Sequence, residues 1–216
     1  TSVLPPTEGT CMTPRFSRIP ILAAVALAVT TSLSMTTTTR EVCHGFLPEN
    51  DMKIPVGFKS MLAGAGGLTE VEFNSVIDRA IKIYGPIVSQ QGGKLSVNRL
   101  WSDSTVNASA QQSGSTWILN MYGGLARHPS VTIEGFALVV CHELGHHIGG
   151  APKGKGFFGM KSWATNEGGA DYFANLKCLR NFFADDDNKT IVDEAKKSGR
   201  LSAFASTLCE QQFAKD

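Results

Sequence analysis

The residues His142-Glu143-Leu144-Gly145-His146 constrain this chain more than any other stretch, because two imidazoles four residues apart are useful together only on a helix. At 3.6 residues per turn, positions i and i+4 lie roughly 40° apart and one turn up, so both rings can reach one ion. Glu143 sits about 100° further round, where its carboxylate can address water at that ion without binding the ion itself. The flanking residues supply the helix. Thr132 is a suitable N-cap and Glu134 places a negative charge in the first turn. Phe136, Val139, Val140 and Leu144 recur at helical spacing, and Gly149-Gly150 with Pro152 supply a stop.

A catalytic zinc site needs a third protein ligand and an open position, and the segment Asn166-Glu167-Gly168-Gly169-Ala170-Asp171 offers the ligand. Thr165 or Asn166 can cap a second helix through Tyr172, Phe173, Leu176 and Leu179, with Glu167 and Asp171 at i and i+4 on one face. The expectation is one Zn2+ per chain on His142, His146 and Glu167. Asp171 would then accept a hydrogen bond from the other nitrogen of a ligating histidine, which sets its tautomer. The competing reading is a solvated acidic pair on a surface helix.

With both helices in view, the chain resembles the glutamate-zincin metallopeptidases, the branch that pairs a His-Glu-x-x-His helix with a Glu-x-x-x-Asp helix. Within them it is most similar to the group of the prenyl-protein endopeptidase, the heat-shock membrane protease and the periplasmic chaperone-proteases. The likeness runs from Asn107 to Arg180 through Asn107-Ala108-Ser109-Ala110, Trp117-Ile118-Leu119-Asn120, Gly123-Gly124-Leu125 and Ala137 to Glu143. The linker from Lys153 to Phe158 is short and departs from that pattern, as does the lack of a multi-pass membrane region. The resemblance implies an α+β, zincin-like minimal metallopeptidase domain, with a small antiparallel or mixed sheet packed on the zinc helix. It also implies a zinc-dependent endopeptidase with Glu143 as catalytic base. Backbone near Asn107, Ala108 and Ala110 would bind a polypeptide substrate by strand addition, or else be an ordinary sheet edge. For the group that stabilises the oxyanion, His147, His128, Tyr172 and Arg180 are all candidates.

Upstream, Met12, Arg15 and Arg18 precede the apolar run Ile21 to Val29 and small residues in Ala26-Leu27-Ala28 or Ser32-Leu33-Ser34. Residues 1–35 therefore read as a signal peptide, with Thr1 to Cys11 upstream of the true start, and the alternative is an uncleaved N-terminal anchor. Residues 36–216 suffice for a single domain, exported to the periplasm or secreted, with no stable membrane span expected in the mature chain. Cys43, Cys141, Cys178 and Cys209 would form two disulfides in one of three connectivities.

The formal charge of +1 comes with no basic block, so nucleic acid is not an expected partner. Asp185-Asp186-Asp187-Asn188 lacks the spacing of a calcium loop and reads as a solvated turn. A capping box from Thr69 to Glu72 predicts a helix that buries Val76, Ile77, Ala80, Ile81 and Tyr84 and ends at Gly85-Pro86. Strands are predicted at 94–101, 105–111 and 116–122, and C-terminal helices at 190–197 and 201–213. A zinc-binding envelope or interaction protein without activity, and a zinc hydrolase of cell-wall peptides, are the alternative functions.

Overall fold

A computed structural model describes residues 45–58, 67–156 and 160–213. All belong to one compact unit, Thr38–Asp216. The expected signal peptide, its boundary and Cys43 lie outside the described residues.

Helix α1 (Glu70–Gln90) begins where local chemistry starts it. The Thr69 hydroxyl accepts the Glu72 N–H at 3.3 Å, while the Glu72 carboxylate accepts the Thr69 N–H at 2.8 Å. Its buried face is Phe73, Val76, Ile77, Ala80, Tyr84 and Val88. Ile81, expected inside, is 36% exposed. The helix also runs on through Gly85-Pro86, where a stop was expected. Pro86 sacrifices one backbone donor. Gly85 before it has no Cβ to crowd the proline ring, and fully buried Val88 anchors the turns beyond.

Strands β1 (Lys94–Leu100), β2 (Ala108–Ser113) and β3 (Thr116–Tyr122) form one small mixed sheet in the order β1-β3-β2. β1 runs parallel to β3; β2 returns antiparallel to it through a turn in which Gly114 has φ of 58°. β2 begins at Ala108, later than the residue 105 expected, because the chain before it is paired elsewhere. Lys53 bridges Thr105, Ile54 N–H donates to Ser104 O at 2.8 Å, and the Arg127 guanidinium holds Ile54 O. Residues 46–54 thus form a strap laid antiparallel along 104–108.

Short α2 (Gly123–Ala126) leads into α3 (Ile133–Ile148), capped by Thr132 as expected. Ala108, Ala110, Leu119 and Met121 from the sheet meet Phe73, Ile77, Phe136 and Val140 from α1 and α3 in a single core. After α3, β4 (Lys153–Lys155) and β5 (Lys161–Thr165) pair antiparallel. Then come α4 (Glu167–Phe173), one π-helical segment (Ala174–Cys178), α5 (Leu179–Phe182), α6 (Asn188–Lys197) and α7 (Ala203–Phe213). The chain is therefore α+β with small sheets.

Two local expectations change, and the expected bridging of Cys141 and Cys178 is borne out. Asp186 forks onto Arg79 of α1 at 2.8 and 2.6 Å, and Asp187 caps α6, so the acidic cluster is a built junction and more than a solvated turn. Cys141 pairs with Cys178, tying α3 to the π segment, which also removes both sulfurs as metal ligands. Cys209 is free, so among the described residues there is one bridge where two were expected. No described helix is long and apolar enough to cross a membrane.

The Cys141–Cys178 bridge spans 37 residues of sequence, a loop whose closure removes much unfolded-state entropy. Replacing both cysteines with alanine is expected to lower stability by about 2–4 kcal/mol, read as a lower urea midpoint with a steeper slope, because the unbridged unfolded chain exposes more surface.

Candidate metal centre

Helix α3 is apolar enough to be buried almost throughout its second half, and it carries His142, Glu143 and His146 into the interior with it. What lies over them is set by Gly145. A Cβ at that position would stand 2.8 Å from both Cα and O of Ala170, so only a glycine lets α4 lie this close to α3. Asn166 starts α4, its side-chain oxygen accepting the Gly169 N–H at 2.9 Å. Glu167 and Asp171 then project from successive turns toward the two histidines.

Each imidazole is held from behind. His142 Nδ1 lies 2.8 Å from Asp171 Oδ1, and His146 Nδ1 lies 2.9 Å from the backbone oxygen of Thr165. A carbonyl oxygen only accepts, so His146 Nδ1 carries the proton and Nε2 presents a lone pair. Glu167 Oε2 sits 3.1 Å from His142 Nε2 and 3.6 Å from His146 Nε2. The three ligand atoms lie within 4.8 Å of one another, and this group could hold a metal ion.

Two further features fit a cation. His146 Nε2 is buried with no hydrogen-bond partner, and neither oxygen of the fully buried Glu143 carboxylate has one. Such groups are costly unless something charged or polar meets them. Burial pushes the Glu143 carboxyl up to about 8, with His142 opposing and Glu167 adding to the shift. Burial acts to lower His142, but Glu167, Glu143 and Asp171 outweigh it, so its net shift is upward. His146 moves down, chiefly through burial. Two imidazole nitrogens and the Glu167 carboxylate converging on one point are a donor set suited to a cation.

The other sequence candidates separate. His147 is packed flat between two indoles, Trp117 at 5.3 Å and Trp163 at 4.7 Å, with Nε2 near Ile118 O. It is a core residue. His128 Nδ1 accepts the Ser130 N–H in a turn, and Tyr172 and Arg180 are exposed. Among the described residues, no hydrogen bond or ring contact joins any of these four to the cluster. Strand β2 does lie at the edge of its sheet, and Ala108 and Ala110 turn their side chains into the core. Asn107, however, grips the strap: its Oδ1 accepts the Leu47 N–H at 2.8 Å and its amide donates to Leu47 O at 3.1 Å. Phe46, which no motif singled out, sets its ring edge-on to His142 at 5.1 Å. The holding of His146 by Thr165 O and the stacking of Trp117 and Trp163 on His147 depend likewise on contacts remote in sequence.

No protein-family model, curated protein or solved structure gives a significant match to this chain.

Asp171→Asn removes the charge that orients His142. Zinc affinity, measured by competition with a chelator, is expected to fall about 10–100-fold. A second expectation concerns His147, which burial drives down to about 4 from 6.5. Between those values the unfolded chain binds a proton that the folded chain refuses, so this histidine favours the fold above 6.5 and loses that contribution as pH falls toward 4. The stability difference between the natural chain and His147→Phe should therefore shift against the natural chain by on the order of 2–3 kcal/mol from pH 7 to 4, by urea unfolding.

Proposed function

We propose that this chain is an exported zinc endopeptidase of the glutamate-zincin type, with His142, His146 and Glu167 as ligands and Glu143 as catalytic base. The observation that carries the reading is Glu143 itself: a fully buried carboxylate, without a hydrogen-bond partner, adjacent to a cluster that could hold a metal ion. A purely structural metal site has no use for such a group, and its cost makes sense where it handles a proton. Supporting it, the α+β arrangement with an edge strand beside the helix of the two histidines suits a zincin-like fold. The disulfide suits an oxidising compartment outside the cytoplasm.

Zinc on these ligands would supply Lewis acidity, polarising the scissile carbonyl and acidifying water. The rest falls to the chain's own residues. Glu143 takes the proton from the attacking water and returns it to the leaving amine, and a carboxyl whose proton affinity is raised by burial can do both near neutral pH. Asp171 and Thr165 O hold the imidazole planes and tautomers while charge shifts. The β2 edge beyond Asn107 aligns extended substrate backbone.

The test is cleavage of an unfolded protein by the zinc-loaded chain beside a Glu143→Gln variant. The variant is expected to keep zinc and lose activity about 10²–10⁴-fold, and a chelator to abolish activity in the natural chain. Hydrolysis of short cell-wall peptides but not of polypeptide would move the substrate to that class. A folded, zinc-loaded chain that cuts neither would overturn the peptidase reading.

A further inference from the structure

The strap that crosses the front of the sheet does two different jobs along its length. From Met52 to Ile54 it is held as part of the body, by Val106 and Ser104 and by the buried Arg127 guanidinium. At Phe46 and Leu47 it is held by the groups that the proposed function gives to substrate. Phe46 N–H donates to Ala108 O at 2.9 Å, and Leu47 exchanges two hydrogen bonds with the Asn107 side chain. The Ala108 N–H is taken as well, by Asn107 Oδ1 at 2.9 Å. A substrate strand adding here meets an edge whose first outward-facing residue is already satisfied.

Phe46 adds contact with the cluster. Its ring stands edge-on to the imidazole of His142, the histidine braced by Asp171. Gly45 lies so near Asn107 that a Cβ there would come within 2.5 Å of its amide, so the strap passes tightly through this point. Further along, Pro48, Glu49 and Asn50 are exposed, and Pro48 has no N–H to offer the edge. The two holds are separated by this exposed turn, which Asn50 ties to the body by donating its amide to Val106 O at 3.3 Å. Three hydrogen bonds and one ring contact hold the Phe46–Leu47 portion on Asn107, Ala108 and His142, and an extended peptide with an aromatic residue could replace them one for one.

We infer that Gly45–Leu47 is an autoinhibitory occupant of the substrate edge, a resident peptide that must leave Asn107 and Ala108 before another extended chain can pair there. This rests on the proposed function for what the cleft is for, but the occupancy has its own readout. It also gives the register of the incoming chain: a residue with a large apolar side chain takes the position of Phe46, its N–H on Ala108 O and its ring against His142.

The experiment uses the full chain in two released forms. One carries Phe46→Pro and Leu47→Pro, which delete both amide donors. The other has a site for a specific protease placed in the exposed turn at 48–51 and cut after folding. Circular dichroism and zinc content establish that each form is folded and loaded. The probe is a fluorescent hexapeptide of residues 44–49, followed by anisotropy on Glu143→Gln backgrounds, with cleavage of an unfolded protein measured in parallel on chains that keep Glu143. Release is expected to tighten peptide binding about ten-fold or more, since apparent affinity scales with the fraction of open clefts. It should raise the cleavage rate similarly. Folded, zinc-loaded released forms that bind the peptide no better than the natural chain would overturn the inference and make the strap a fixed wall. Tighter binding with no cleavage by any form would uphold the strap and sink the peptidase reading. Equal cleavage by intact and released forms with equal binding would do the reverse.

Discussion

The approach of α4 to α3 over Gly145 is the contact on which the centre depends. Without it, Glu167 and Asp171 belong to a separate helix, and His142 and His146 have no third ligand. The distance tolerates nothing larger than hydrogen, since the next atoms are the backbone of Ala170 and cannot swing aside. Cys141, the residue before His142, ties α3 covalently to Cys178 in the π-helical segment that follows α4. A π-helical segment lies at that joint, a local change of winding of the kind that often accompanies functional sites. Close backbone packing, a covalent tie and adjusted helix phase together aim two carboxylates at two imidazoles.

The burial of Glu143 runs against the rest of the fold's logic. In the body of the fold Arg127 spends its guanidinium on the carbonyls of Ile54, Trp101 and Asp103, and Asn120 links Asn98 to Ser109 across the sheet. At the cluster, three side-chain atoms of Glu143 and His146 go without partners. His147 Nδ1 and Trp163 Nε1 are also buried without partners, but these are single nitrogens on stacked rings, whereas the cluster gathers three unpartnered atoms on two neighbouring side chains, a concentration that suits a functional point. All three atoms can accept, and the proposed function gives each a partner: a cation for His146 Nε2 and water for Glu143.

The sheet is read differently once its edges are known. β1 and β2 are both outer strands, and only β2 adjoins the strap. Along 104–106 the strap replaces a strand neighbour and protects backbone groups that would otherwise invite pairing. Nearer the His142–His146–Glu167 cluster it does the same for Ala108, so that under the proposed function structural cover and occupation of a binding edge would merge into one element.

Much of this was legible in the residues themselves. The capping box at Thr69, the cap at Thr132, the cap at Asn166, and the spacings of His142 with His146 and of Glu167 with Asp171 are local signals, each written within about one turn of helix, and they appear where the pattern puts them. Errors arose where neighbours distant in sequence decide. Proline 86 stays inside α1 because Val88 is buried against the core, and His147 turns out to be packing because Trp117 and Trp163 close on its two faces. Which cysteine meets Cys141, which edge is covered and what leans on His142 are likewise questions of long-range approach. Periodicity and capping reside in a few adjacent side chains and so determine helices and ligand spacing by themselves. The tight passage at Gly145, the strap on Asn107 and the orphaned carboxylate exist only when segments tens of residues apart are brought together, because a contact made through space leaves no period in the chain.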